Sequence, residues 1–310
     1  MPLLSRKRLI AAKVETTSGT DSVPTGADAL LVRNLDITPL SGDVVSRDLV
    51  RPYFGNYDQL IAKTSVAVSF EVELAGSGVA GTAPKYDAVL KACAMSGTVV
   101  ATTSVTYAPV SSSISSCTIY YNVDGVLHKL TGCRGDMSMS CAVGAIPVLK
   151  FDMTGVYNAP TDTAALTPTY TAQAAPLVFR QGNTSAFSLY SYGAVLQSLE
   201  FNLANEIIYR ELVGGTKEVL LTNRKPAGSV MIEMPTIATK DYFAASLLTA
   251  TGNLTFLHGT TAGNRVTFTA PYVDVTNPAY GDQDSVVMLN IPYVATPSSA
   301  GNDEFSLAFT

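Results

Sequence analysis

The chain has 310 residues, of which 47% are hydrophobic and only 15% are charged, and its formal net charge is −5. Because a soluble domain usually carries about 25% charged residues, we expect other subunits to cover much of the apolar surface. The acidic balance argues against binding to nucleic acid through its phosphates, and no apolar run is long enough for a transmembrane helix.

The start of the sequence, MPLLSRKRLIAAK, is basic but lacks the apolar region and cleavage site of a signal peptide. No Cys-x-x-Cys pair occurs and the two histidines are far apart, so the spacing of zinc ligands is missing. The sequence therefore predicts no metal site and a reducing cytoplasm around the thiols. The four cysteines expected to be free and buried are Cys93, Cys117, Cys133 and Cys141.

Strand patterns dominate the chain. Residues 65–74 read SVAVSFEVEL, and this strict alternation places Glu71 and Glu73 together on the polar face of a half-buried strand. Asp124-Gly125 lies between two strand-like runs and predicts a β-hairpin. Helical periodicity occurs only from Pro84 to Ser96 and from about Thr239 to Thr251.

An internal repeat relates the two halves of the chain. Residues 44–50, VVSRDLV, match residues 207–213, IIYRELV, in residue type at every position but the third. Three further pairs of segments match in the same order: Leu35–Ile37 with Leu199–Phe201, Phe70–Leu74 with Val230–Met234, and Pro147–Thr154 with Ser285–Ile291. Several matches at a nearly constant offset predict a duplicated module.

The repeat predicts two domains with a linker between them. We expect a first module with an N-terminal arm over residues 1–157 and a second module with a C-terminal extension over 191–310. Residues 158–190 are the linker, and their first part, Asn158–Pro176, is polar and rich in Pro, Thr and Ala.

Short motifs that suggest chemistry have simpler interpretations. The GSGVAG run at 76–81 follows an alternating strand and has no acidic residue placed to bind a ribose, so it is interpreted as a flexible loop. Arg134-Gly135-Asp136 is interpreted as a turn, and His128 and His258 as surface or interface histidines. Since a nucleophile elbow and a phosphate-binding loop are missing, the sequence predicts no catalytic residue and no cofactor.

The order of the elements resembles that of a known family. Each half reads strand, long loop, strand, helix, hairpin and closing strands, which is similar to the tail tube module of long-tailed bacteriophages. The resemblance covers about residues 31–157 and 195–294, and it is clearest in the strand at 44–50 and in the strand–helix–hairpin run from Val66 to Leu130. It depends on the order of elements rather than on one diagnostic motif.

The resemblance implies a mainly β fold of two tandem β-sandwich or half-barrel modules, each with one flanking α-helix. It implies a structural virion protein, not an enzyme, whose rings stack into the tail tube that delivers the genome. The family usually has one module per chain and six chains per ring, so two modules per chain predict a pseudo-sixfold ring of three chains. The implied partners are further copies of the chain, a tape-measure protein and tail-end proteins, with assembly in the host cytoplasm. The DNA is expected to pass through the lumen without specific binding, and no membrane is involved.

Three groups of residues are candidates for contacts in such a tube. The loop from Arg51 to Thr64 is expected to contact the adjacent ring, since large exposed aromatic side chains normally have a partner. Its aromatic residues are Tyr53, Phe54 and Tyr57. The charges expected where modules meet or at the lumen are Arg47, Asp48, Arg210 and Glu211. The acids expected to line a lumen that repels DNA are Glu71, Glu73 and Glu233.

The aromatic loop permits a second interpretation. Exposed aromatics clustered on loops are expected in a carbohydrate- or receptor-binding β-sandwich protein, and the same residues serve equally well as contacts between rings. The form of the purified protein separates the two hypotheses, because only the tail tube hypothesis predicts rings and tubes.

Overall fold

The computed structural model describes residues 2–248 and 250–310, and it is mainly β, as the sequence predicts. The elements of the first half are β1 (Arg8–Val14), β2 (Ala29–Leu30), β3 (Arg33–Ser46), β4 (Gln59–Glu73), α1 (Asp87–Ala92), β5 (Met95–Val100), β6 (Ser104–Pro109), β7 (Cys117–Val123), β8 (Val126–Ala142) and β9 (Val148–Tyr157). The later elements are β10 (Thr161–Asp162), β11 (Thr184–Leu189), β12 (Leu196–Asn202), β13 (Asn205–Arg210), β14 (Glu218–Arg224), β15 (Ala227–Glu233), α2 (Tyr242–Ser246), β16 (Gly252–His258), β17 (Val266–Val275), β18 (Ala279–Gln283), β19 (Val286–Ala295) and β20 (Ser306–Phe309).

Antiparallel pairing joins the strands of the first half in the spatial order β2-β1-β7-β8-β9-β4-β3. In the second half the order is β11-β16-β17-β19-β15-β12, and β18 follows β17 along the same edge of β19. From β1 and β11 onward, the two halves therefore pair their strands in the same succession. This arrangement is compatible with the repeat in the sequence.

The C-terminal strand connects the two halves a second time. β20 pairs with β17 of the second half and with β6 of the first half. The β5–β6 hairpin that receives it follows α1, whereas α2 is followed directly by β16, the strand equivalent to β7. This hairpin is therefore an addition to the first half that provides an edge for the end of the chain.

One hydrophobic core extends through both halves. Over residues 66–73 of β4, buried apolar residues alternate with half-buried residues, which confirms the predicted strand pattern. Phe309 of β20 packs edge-on against Tyr86 and Tyr107, with ring centroids 6.0 and 5.8 Å apart. Each large apolar side chain buried in this way contributes about 1.5–3 kcal/mol to stability. The four free cysteines are also buried, as predicted.

Both helices are shorter than their apolar stripes predict. α1 ends at Ala92 because Ala94 has a φ of 59° and Met95 already enters β5. α2 is capped by Asp241, whose side chain accepts a hydrogen bond from Ala244 N at 2.8 Å, and not by Thr239. The predicted second helix also included Thr249, which lies outside the described residues, and Gly252 begins β16. Pairing of the flanking strands overrides local helical periodicity at these ends.

Two predicted loops belong to strands. The predicted loop to Thr64 ends earlier, because β4 begins at Gln59. Residues 134–136 lie within β8 and form no turn, so the interpretation of the RGD tripeptide was wrong. A Cβ atom on Gly135 would clash with the carbonyl oxygen of Asp152, so close approach of β9 explains the glycine.

The predicted linker, Asn158–Pro176, contains only the two-residue strand β10 and otherwise follows the surface of the first half. Its backbone N–H groups donate to carbonyls of that half, including Thr169 N to Gly26 O and Ala174 N to Gly76 O. The segment is thus held mainly against the first half, and near its end Asn264 of the second half donates through Nδ2 to Ala175 O at 2.9 Å.

His258 is buried, so its interpretation as a surface or interface histidine was wrong. Its ring stacks on Phe179 with centroids 5.6 Å apart, its Nδ1 lies 2.9 Å from Thr184 Oγ1, and its Nε2 lies 3.2 Å from Leu177 O. Burial lowers the pKa of His258 below its ordinary 6.5, and the Leu177 carbonyl opposes this shift only in part.

This histidine makes stability depend on pH. Since its pKa is lower in the folded state, the unfolded chain binds the extra proton first, and stability falls as the pH drops below about 6.5. We expect the free energy of unfolding of the wild-type protein, measured with urea, to fall because of this group by up to about 1.4 kcal/mol per pH unit between pH 7 and 5. In the variant His258→Gln the slope in that window should be smaller, and an unchanged slope would contradict the assignment.

Candidate assembly interface

The two halves are joined edge to edge along the C-terminal part of β8. β12 pairs antiparallel with it, so that Phe201 lies opposite Met139 and Glu200 lies opposite Ser140. Phe201 and Met139 are buried in the core, whereas Glu200 and Ser140 are exposed on the opposite face, called here the outer face. This junction covers a strand edge that would otherwise offer its N–H and C=O groups to another chain.

A hairpin projects from this junction across the first half. β13 and β14, residues 205–224, form what is called here the second arm, which lies against β8 and β9. Asn205 holds its base: the backbone N–H donates to Asp136 Oδ1 at 3.0 Å and Nδ2 donates to Gly135 O at 3.0 Å. The Arg134 guanidinium donates to the carbonyl oxygen of Val219 in β14.

The base of the second arm is also tied to the C-terminal segment. Arg224 donates through Nε and Nη2 to Glu304 Oε1 at 3.0 and 2.9 Å, and Nη1 donates to Val110 O at 2.8 Å. The side chains of Arg224 and Glu304 are only 10% and 7% exposed. One buried ion pair therefore links the second arm, the C-terminal segment and the first half.

The corresponding hairpin of the first half extends into solvent. Residues 39–64, called here the first arm, are the distal parts of β3 and β4 with the connection between them. Its apolar side chains are exposed, with Val44 at 57% and Ile61 at 55%. An exposed apolar surface of this kind normally marks a protein–protein contact.

The tip of the first arm has its own local order. The Arg51 guanidinium lies 4.9 Å from the ring centroid of Tyr53 and 4.2 Å from that of Tyr57, and it donates to Asn56 O at 2.7 Å. Phe54 projects from the tip with its side chain fully exposed, and Tyr53 is 66% exposed. The predicted aromatic group is therefore brought together around Arg51, which the sequence analysis named only as the start of the loop.

Comparison with protein families decides the class of the protein. The family model described as phage tail tube protein matches residues 5–295 of the chain. The chain belongs to this family. No individual curated protein matches it. Membership establishes a structural role in a phage tail tube, as a component of the virion tail that assembles with further copies.

The repeated charges of this tail tube family member lie at the distal ends of the two arms. Arg210 pairs across the second arm with Glu218 at 3.6 Å, and Glu211 pairs with Lys217 at 2.9 Å. The pair with Lys217 lowers the pKa of Glu211. In the first arm Arg47 lies 3.9 Å from Asp58, and Asp48 accepts a hydrogen bond from Ser46 Oγ at 2.6 Å. Each charge thus has a partner within its own arm, and contact with another chain stays a prediction.

The predicted lumen acids lie on the outer face of the sheet. Glu71 and Glu73 point away from the core of the first half, and Glu233 is exposed at the end of β15. Glu71 is partly neutralised by Arg33, whose Nε lies 3.1 Å from Glu71 Oε2. The acids are therefore placed where a lumen could be lined, and their role there stays a prediction.

Further carboxylates on the outer face were not identified from the sequence. Asp136 and Asp152 lie opposite each other on β8 and β9, and both line a groove of about 270 Å³ beside Ile207 of the second arm. Burial, with Asp152 nearby, raises the pKa of Asp136, although the N–H of Asn205 opposes this shift. No pattern in the sequence could have predicted this groove, because its walls lie on different strands that only the strand register brings together.

Within residues 2–248 and 250–310 no group of three or more His, Cys, Asp or Glu side chains is arranged to hold a metal ion. In the same part of the chain, no helix combines the length and apolar character needed to cross a membrane.

Proposed function

We propose that three copies of the chain form each ring of the tail tube, and that the stacked rings form the conduit for genome delivery. In this proposal residues 1–157 and 191–310 are two tube modules that occupy neighbouring positions in a pseudo-sixfold ring. The observation that carries it is the junction between β8 and β12, which joins two similarly paired halves edge to edge.

The linker supports the same arrangement. Residues 158–176 are hydrogen-bonded along the first half. They therefore lead directly from the first module to a second module that lies beside it. The alternative is a ring of six chains in which the second module decorates the outside. That alternative gives no reason for the second half to keep an arm and a sheet continuous with the first, whereas neighbouring ring positions require both.

The surface charge supports passage of DNA without specific binding. Glu73, Glu200 and Glu233 all lie on the outer face of the continuous sheet, which would repel phosphates if this face lines the lumen. The tape-measure and tail-end proteins are proposed partners by family, and assembly is proposed to take place in the host cytoplasm.

Electron microscopy of the purified protein tests the proposal. We expect rings and stacked tubes with three chains per ring by native mass spectrometry, and threefold symmetry in which alternate positions look alike. Six chains per ring with true sixfold symmetry would contradict the stoichiometry. Discrete particles that bind sugars would instead favour the carbohydrate-binding interpretation of Tyr53 and Phe54.

A further inference from the structure

Two of the open strand edges among the described residues correspond to the two edges that meet at the internal junction. Among the described residues β3 pairs only with β4, and β18 pairs only with β19. By order of pairing, β3 is the equivalent of β12, and β18 is the equivalent of the C-terminal part of β8. Open edges of this kind pair readily with another chain.

Strand register makes the first correspondence specific to single residues. In β12, Glu200 lies opposite Ser229 and Phe201 lies opposite Gly228 of β15. In β3, Asp36 lies opposite Ser69 and Ile37 opposite Val68 of β4. Because the repeat aligns Phe70 with Val230, Asp36 takes the place of Glu200, Ile37 that of Phe201, and Thr38 that of Asn202.

The second correspondence is found in the same way. Leu149 of β9 lies opposite Met139, and Leu289 of β19 lies opposite Tyr280. Leu149 and Leu289 are themselves equivalent, because they pair with the repeated residues Val72 and Ile232. Tyr280 therefore takes the place of Met139, Gly281 that of Ser140, and Ala279 that of Ser138.

We propose that β3 of one chain pairs antiparallel with β18 of a second copy, in the register of the internal junction. Asp36 then lies opposite Gly281, Ile37 opposite Tyr280, and Thr38 opposite Ala279. The proposal rests on the proposed ring, and it identifies which edges close that ring and how they align.

The burial of equivalent residues supports this pairing. Met139 and Phe201 are 2% and 1% exposed at the internal junction, whereas Tyr280 is 68% exposed and Ile37 is half-buried. Pairing of the two edges covers this apolar pair as the internal junction covers its counterpart. On the outer face, Asp36 takes the place of Glu200, and Gly281 takes the place of Ser140. Glu200 and Ser140 remain exposed at the internal junction, and all four residues are small or polar.

The first arm then has a place to bind. The second arm leaves β12 and lies over β8 and β9 of the adjoining half, with Ile207 lining the groove there. Val44 is the equivalent of Ile207 in the repeat and is 57% exposed. Since the first arm leaves β3 as the second arm leaves β12, it lies over β18 and β19 of the neighbouring copy.

A disulfide tests the register directly. In the variant Asp36→Cys with Gly281→Cys, the two residues come from different chains, and directly opposite antiparallel residues have Cα atoms about 4.5–5.5 Å apart, within disulfide range. A Cβ on Gly281 meets only Met288 Cβ at 3.6 Å and Met231 Cε at 4.0 Å, so the cysteine fits. The native cysteines are buried and do not compete.

Two matched pairs control the experiment. Glu200→Cys with Ser140→Cys has the same register inside one chain and is expected to form an intrachain disulfide. Asp36→Cys with Tyr280→Cys is offset by one residue, which places the thiols on opposite faces, so at least about tenfold less cross-linking is expected.

We expect assembled Asp36→Cys/Gly281→Cys protein to give linked dimers and trimers on non-reducing gels. Tubes that form without this cross-link, or with equal cross-linking of the offset pair, would overturn the register and leave the proposed function intact. If wild type forms no rings or tubes, the proposed function itself fails.

Hydrogen exchange on the wild-type protein gives an independent measurement. Amides in residues 36–38 and 279–281 that point to the open edges should exchange at least about tenfold more slowly in tubes than in dissociated subunits. Equal exchange rates in the two states would overturn the proposal without relying on any variant.

Discussion

Replacing Arg224 by alanine is expected to lower the free energy of unfolding by about 3–5 kcal/mol, because the substitution leaves the carboxylate of Glu304 buried without its cation. The guanidinium holds Glu304 Oε1, Val110 O and Asn302 Oδ1, so its loss also separates the second arm from the C-terminal segment. Chemical unfolding of dissociated subunits measures the change. The variant Glu304→Ala should lose a similar amount, since it leaves a buried guanidinium.

A double substitution separates the cost of an unpaired charge from the value of the pair. In Arg224→Met with Glu304→Leu both charges are removed, and apolar residues of similar volume fill the space. We expect most of the lost stability to return, since a buried ion pair can often be replaced by packed apolar residues without loss. A loss in the single variant of less than about 1 kcal/mol would show that the pair is hydrated and not buried as described.

The largest expected effect on assembly comes from the tip of the first arm. Substitution of both Tyr53 and Phe54 by serine should raise the concentration needed for tube formation by at least about thirtyfold, since one interface hot spot is worth about 2 kcal/mol or more. The two side chains are 66% and 106% exposed, so stability of the single chain should change little. Turbidity and electron microscopy measure polymerisation, and thermal unfolding measures stability.

The conservative exchange Tyr53→Phe with Phe54→Tyr is the matched control. It keeps two aromatic rings at the tip and the stacking surface for Arg51, so polymerisation should stay near that of wild type. If the double serine variant forms tubes at the wild-type concentration, then the tip does not bind the adjacent ring.

The sequence by itself determined the class of the fold and the family. The alternation in residues 65–74 reports directly which face of β4 is buried, because side chains of a strand point to opposite faces in turn. The matching segments around Val44 and Ile207 each lie in a hairpin of their own half, which is compatible with the predicted repeat. Such local patterns can be recognised in the sequence alone, since each depends only on residues that are neighbours in the chain.

Only the tertiary structure decided the helix ends, the burial of His258 and the strand placement of Arg134–Asp136. In each case contacts distant in sequence outweigh local preference: β9 approaches Gly135 closely, and Phe179 covers the histidine ring. The junction between β8 and β12 likewise depends on register, which no single segment encodes. For that reason the open edges of β3 and β18, and the alignment proposed for them, became visible only when both halves could be compared in space.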